Sequence, residues 1–248
     1  MARRKNIKRR REIISNTFNL IRQYGLDDVS LQRIAEESKI SKSLLQSYYP
    51  HKANLVSEIA YQLLTTLSRY VEMAAGGSGE DRSNPYALTK AYIYLIVTLG
   101  MTDNSLNRLI AEAFRNNQIL DTWGTMLETW IYDRHVFDCS KVNAEQLRLG
   151  ISFITAGVGR LYYDRSRIPM DAEAIAEAAA RSLMFSFVKS PAMEIKRAMT
   201  AGHAIITKLD VNVVFAAIDT AFDEAHDAVN ESVKMNGRSY EGKFATNH

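Results

Sequence analysis

The chain has 248 residues, 46% of them hydrophobic, which is enough to bury one large core or two modest ones. Its formal charge of +3 hides an asymmetry: residues 1–55 hold 12 Lys+Arg against 5 Asp+Glu, and the other 193 hold 19 against 23. No apolar run approaches the roughly 20 residues of a membrane helix, no signal-peptide core follows the basic N-terminus, and the lone Cys139 excludes an intramolecular disulfide, so no membrane partner and a reduced, cytoplasmic location are expected. Four prolines and twelve glycines amid dense Ala and Leu predict an all-α chain.

The first eleven residues carry seven basic side chains, Arg3, Arg4, Lys5, Lys8, Arg9, Arg10 and Arg11. A helix over about 6–25 follows, with Ile13, Ile14, Phe18 and Ile21 on one face and Gly25 at its end. Residues 30–52 then read as two short helices joined by a tight turn. Ser30 is the N-cap of the first, whose apolar face is Leu31, Ile34 and Ala35. Ile40 plugs the turn, and Ser41 caps the second, whose apolar members are Leu44, Leu45 and Tyr48. Lys42, Ser43, Gln46 and Ser47 are left facing outward. Small polar and basic side chains on a short protruding helix suit a DNA major groove, where they reach phosphates and base edges. A helical hairpin alone is common; the basic run beside it is what makes a phosphate clamp of the pair.

This stretch resembles the TetR family of transcriptional regulators over residues 7–66. The resemblance rests on the first helix with Gly25, on Asp28-Val29-Ser30-Leu31, on Ile34-Ala35, on Ile40-Ser41-Lys42, and on Tyr48-Tyr49-Pro50-His51-Lys52-Ala53-Asn54-Leu55. The last segment resembles the family's aromatic-aromatic-x-x-Lys-x-x-Leu signature. Leu44 and Gln46 stand where the family often has Thr and Tyr, and Ser43 where it has Gly or Ala. The resemblance implies a three-helix helix-turn-helix domain over 1–50, a dimerisation and effector domain over 51–190, and an extension over 191–248. The expected DNA-binding set is Ser30, Arg33, Ser41, Lys42, Ser43, Gln46, Ser47, Tyr48, Tyr49 and Lys52. Gln46 has the donor and acceptor for a bidentate pair with adenine, and Lys52 matches a phosphate-contact position of the family.

The body is predicted to begin with a long helix over 51–75, striped by Leu55, Ile59, Leu63, Leu67 and Val71. Residues 76–85 form a Gly-rich loop without the Lys-Ser/Thr of a P-loop. Helices follow over 86–101, 103–117 and 118–138. The last holds both tryptophans, Trp123 and Trp130, seven residues apart and hence on one face. With Met126 and His135 they are the expected lining of a pocket for a small apolar or amphipathic effector; an aromatic and Met stripe at helical spacing also reads as plain core.

Residues 143–163 and 171–189 form a helical pair. Ala156, Gly157 and Gly159 suggest a close backbone approach, since helical glycine costs roughly 1 kcal/mol against alanine. By the resemblance this pair builds the homodimer interface, with Ile151, Ala156, Gly157, Gly159, Ala179 and Leu183 as candidates. The alternative is a pair of ordinary core helices in a monomer. Beyond Pro191, helices are predicted over 192–208 and 211–234. The second is striped by Val211, Val214, Phe215, Ile218, Phe222, Ala225, Val229 and Val233, with an acidic opposite face, and the hairpin is expected on its own body or on a partner subunit. A polar tail, 235–248, closes the chain.

Nothing in the sequence calls for a cofactor or metal: the five histidines lie far apart and no Cys-x2-Cys or Gly-x-Ser-x-Gly occurs. The reading is a homodimeric repressor that binds a palindromic operator in double-stranded DNA, not an enzyme. Its rivals are a helical interaction protein using the basic head for a non-DNA partner, and a helical enzyme with an unrecognised site.

Overall fold

The computed structural model describes residues 7–76, 84–133 and 143–223. The described residues form eleven α-helices and no strand. Expectations for Arg3, Arg4, Lys5, the Gly-rich loop at 77–83, His135, Cys139, the ends of the helices predicted to 138 and 234, and the tail lie outside them.

The head is α1 (Ile7–Tyr24), α2 (Leu31–Glu37) and α3 (Lys42–Tyr48). Gly25 stops α1 at φ 91°, a conformation that suits a residue without Cβ. The turn between α2 and α3 passes through Lys39 at φ 51°, and the Ile40 amide donates to the Ala35 carbonyl at 2.9 Å. Ile13, Phe18, Ile21, Ile34 and Leu45 close the small core of the head, while Ile40 is half-buried against it.

The 23 residues of α4 (Lys52–Ala74) span about 35 Å and join head to body. The body's central helix is α5 (Pro85–Thr102), started by Asn84, whose side chain accepts from the Tyr86 and Ala87 amides, with Pro85 in the first turn. Around it stand α6 (Asn104–Ala113), α7 (Asn117–Asp133), α8 (Ala144–Tyr163), α9 (Ala172–Ser182) and α10 (Ala192–Ile206). The helix predicted over 103–117 ends at Ala113, because Asn116 turns the chain and caps α7 through its side chain. The helix predicted over 171–189 relaxes to π-helical form over Leu183–Val188 and stops at Lys189, φ 60°.

Lys90 is the anomaly of the core. It lies on α5, 1% exposed, with its Nζ 2.7 Å from Glu173 and 2.9 Å from Glu177 on α9, and it donates to the Met199 carbonyl of α10 at 3.2 Å. His203 Nδ1 lies 2.9 Å from Glu173, and Arg181 2.7 Å from Glu177. Three helices thus close on one buried cation.

The extension packs on its own chain. α10 lies on α5, and α11 (Val211–Phe222) runs back across α4 to reach α1. Phe222 stacks on Phe18 with ring centroids 3.8 Å apart, and Arg22 pairs with Asp219 at 2.6 Å.

Candidate nucleic-acid interface and ligand cavity

The two caps of the helical hairpin form as their residue types require. Ser30 Oγ accepts from the Arg33 amide and Ser41 Oγ from the Leu44 amide, each at 3.2 Å. Leu45 is fully buried and pins α3 to the head, which leaves Lys42, Ser43, Gln46 and Ser47 exposed. Ser43 lies 3.1 Å from Ser41, and Ser47 donates to the Leu44 carbonyl at 2.7 Å. Gln46 is exposed on the same face. Arg33 stacks over the Tyr24 ring at 3.5 Å, and Tyr48 is half-buried.

Two expected DNA contacts are occupied elsewhere. Tyr49 is 4% exposed, and its hydroxyl sits between Arg10, 3.1 Å away, and Glu58, 2.9 Å away. Burial pushes that hydroxyl well above the usual tyrosine range. Arg10 also pairs with Glu58 at 2.8 Å, so this cluster ties α1 to α4. Lys52 donates to the Leu26 carbonyl at 2.5 Å, where the Leu26 amide in turn donates to Glu112 of α6 at 2.5 Å. This contact ties the start of α4 to the loop after α1. Lys8, Lys39 and Lys42 are exposed cations of the head.

Beneath the head lies a cavity of about 60 Å³ lined by apolar side chains alone. Its wall takes Ile21 from α1, Ala60 from α4, Ile96 from α5, Ile110 from α6, Trp123 from α7 and Ile218 from α11. Trp123 is 3% exposed and packs on Phe114, ring centroids 5.6 Å apart, and its indole N–H is buried without an acceptor among the described residues. Of the expected pocket residues that are described, Trp123 borders this space and Met126 and Trp130 do not. Trp130 packs on Tyr92 at 5.9 Å and donates to Glu72 at 2.5 Å, and Met126 is half-buried against the core. Positions 123 and 130 do share a face, but seven residues separate them by about 10 Å along the helix. One reaches the cavity and the other the far end of α4.

The expected interface residues also divide. Ile151, Ala179 and Leu183 are buried in the chain's own core, and a Cβ on Gly159 would lie 3.1 Å from the Phe114 ring. These fill the protomer and present nothing to a partner. The close helix approach occurs at Gly150, where a Cβ would fall 2.7 Å from Leu183 and 2.8 Å from Phe187. Ala156 is exposed and Gly157 has nothing within 4 Å of an added Cβ. Beside them stand Leu149, Phe153 and Phe185, 61%, 59% and 71% exposed. On α8, positions 149, 153 and 156 share one face, so of the expected interface residues Ala156 lies on this outward apolar strip.

Residues 13–59 match the model for bacterial regulatory proteins of the tetR family. Among solved structures, the chain is similar to RolR in complex with the ligand resorcinol, at 15% identity over 79% of this chain and 92% of that chain, TM-score 0.56. RolR without ligand matches at 12% identity over 76% and 95%, TM-score 0.51. A TetR-family regulator from Streptomyces coelicolor A3 matches at 16% identity over 77% and 99%, TM-score 0.49. No curated protein matches the chain. The helical hairpin with its two caps is thus the helix-turn-helix of a regulatory-protein head, set on a body that is helical throughout its described residues. The chain resembles the TetR family of such regulators, and its head carries that family's DNA-binding domain.

Proposed function

We propose that the protein is a homodimeric, cytoplasmic repressor without catalytic activity, whose two heads read a palindromic operator and whose body senses a small molecule. Residues 1–50 are the reading head, 51–190 the dimerisation and sensing body, and 191–248 the extension. The observation that carries this is α3: Leu45 buries one side, and Lys42, Ser43, Gln46 and Ser47 form the other, exposed one. Two such helices fit successive major grooves about 34 Å apart. Gln46→Ala is expected to cost roughly 1–3 kcal/mol on the best site and to relax preference at one base pair. Competition assays across an operator library read this out; equal weakening on every sequence would give Gln46 to the phosphate backbone instead.

The dimer rests on the outward strip of Leu149, Phe153, Ala156 and Phe185. In a two-fold interface the same patch meets itself, so Phe153→Glu sets two like charges into apolar surroundings, at a cost of several kcal/mol. Sedimentation should give a monomer with weakened operator binding. A variant that stays dimeric, or a wild-type chain that is monomeric at micromolar concentration, removes the assignment.

Sensing is supported by where the cavity lies. Ile21 belongs to the head and Ile218 to the extension, so a ligand between them bears on the joint that sets head spacing. Release then follows from unequal ligand affinity for the DNA-competent and displaced arrangements. RolR is recorded with resorcinol, an aromatic ligand, which accords with a small-molecule site in a body of this fold.

A further inference from the structure

The seven residues of α3 span about 10 Å, and of these Leu45 alone is fully buried, with Leu44 and Tyr48 half-buried beside it. So short a helix needs a further hold against rotation about its axis. A turn of about 10° shifts an atom at the helix rim by roughly 1 Å, more than the ~0.5 Å within which a reading group must be held. Tyr49, the residue that closes α3, supplies a hold at the C-terminal end. Its amide donates to the Leu45 carbonyl at 2.9 Å, and the residue is 4% exposed. Its hydroxyl accepts from Arg10 Nε of α1 at 3.1 Å and donates to Glu58 of α4 at 2.9 Å. Arg10 closes the triangle by donating to the same carboxylate through Nε at 3.0 Å and Nη2 at 2.8 Å. Burial keeps the Tyr49 hydroxyl protonated, so it can donate to Glu58 while it accepts from Arg10. Side chains from α1 and α4 thus meet on one hydroxyl at the end of α3, three residues after Gln46.

We infer that Tyr49, Arg10 and Glu58 are positioning residues for base reading: without touching DNA, their hydrogen-bonded triangle fixes the end of α3 on α1 and α4 and so sets how sharply α3 distinguishes one sequence from another. This rests on the DNA-reading role proposed above and adds residues outside α3 to its specificity. Phosphate contacts carry no sequence information, while base contacts demand exact placement of donor and acceptor. A loosened α3 therefore loses selectivity, and the backbone contacts of the head's cations remain. Direction matters here as well as charge. The planar guanidinium holds the carboxylate and the hydroxyl in a fixed fork that a lysine ammonium cannot reproduce.

The test uses the full-length protein, the duplex that the wild type selects from the operator library, and a scrambled duplex of the same length. Two variants loosen the triangle at constant charge: Tyr49→Phe removes the hydroxyl, and Arg10→Lys keeps the cation without the fork. Each is expected to lower the ratio of operator to scrambled affinity about tenfold, near the low end of what one good base contact discriminates. Affinity for the scrambled duplex and the slope of log K against log salt should keep their wild-type values, since no phosphate contact is lost. The ratio does not report stability, because an unfolded fraction weakens binding to both duplexes alike. Glu58→Ala removes the shared acceptor and should lower the ratio too, although the lost negative charge raises affinity for both duplexes. An unchanged ratio in Tyr49→Phe and Arg10→Lys overturns the inference. So does a slope reduced by about 0.9 in either variant, which would make that residue a backbone contact. A wild-type chain that binds both duplexes equally removes the reading role itself, an outcome distinct from a selective wild type whose variants are just as selective.

Discussion

Phe222→Ala should lower the unfolding free energy by about 3 kcal/mol, the low end of the 3–5 kcal/mol range for a buried phenylalanine. Phe222 is 4% exposed and lies nearly parallel to Phe18, at 12° and 3.8 Å between centroids. Phe18 itself is 1% exposed, so truncating its partner opens a void against a ring that has no solvent to retreat into. The low end applies because Phe222 is the last residue of α11, where the backbone can settle into part of the space. The nearby ion pair is a useful contrast. Arg22 and Asp219 are 2.6 Å apart, but Asp219 is 61% exposed, and such pairs contribute only about 0–1 kcal/mol. Asp219→Asn should therefore be close to neutral in denaturant titrations where Phe222→Ala is not. If the two variants cost the same, the stack does not hold α11 to the head. Hydrogen exchange of α1 amides should also accelerate in Phe222→Ala, since α11 covers the face of α1 that carries Phe18.

Neutralising both carboxylates around Lys90, Glu173→Gln with Glu177→Gln, should cost about 3 kcal/mol or more. An ammonium that is 1% exposed would keep only the Met199 carbonyl and two amide oxygens as partners. Adding Lys90→Met to the pair should recover much of the loss, because an apolar side chain of similar length needs no partner there. A triple variant less stable than the double would show that the charge itself is not what the double variant strands.

The same cluster sets a pH dependence. At Glu173 burial pushes the carboxyl upward, but Lys90 and His203 outweigh it and hold it below the usual range; at Glu177 the hydrogen bond from Lys90 leads the lowering. A depressed carboxylate contributes stability that is present above its unfolded pKa of about 4.3 and is lost as pH falls through the folded value. Acid titration should reveal this loss in the wild type and a flatter acid limb in the double glutamine variant. An acid limb of unchanged slope would place the acid sensitivity elsewhere.

Local chemistry made the head legible without coordinates. Ser30 and Ser41 cap because a hydroxyl one residue before a helix finds an unpaired amide, and Leu45 is buried as part of the apolar face that Leu44 and Tyr48 flank. Helical periodicity likewise delimited α1, α4, α5 and α8 to within two residues, since 3.6-residue spacing of apolar side chains needs no knowledge of a partner. Periodicity also placed Trp123 and Trp130 on one face, yet only packing decided that Trp123 borders a cavity while Trp130 is tied to Glu72. Face and depth are separate coordinates, and spacing reports only the first. Residues that are apolar in sequence also do not reveal which core they serve. Ile151, Ala179 and Leu183 turned inward to α8 and α9, while Leu149, Phe153 and Phe185 turned outward. A similar ambiguity hid Tyr49 and Lys52, whose polar atoms found partners 9 to 39 positions away in Glu58, Leu26 and Arg10. Lys90 was readable only as one cation in an apolar helix. Its two carboxylates lie 83 and 87 residues further on. The local sequence determined which segments are helices and where they start. Only the tertiary structure, by bringing distant side chains within hydrogen-bonding reach, decided which of their polar atoms remain free to act.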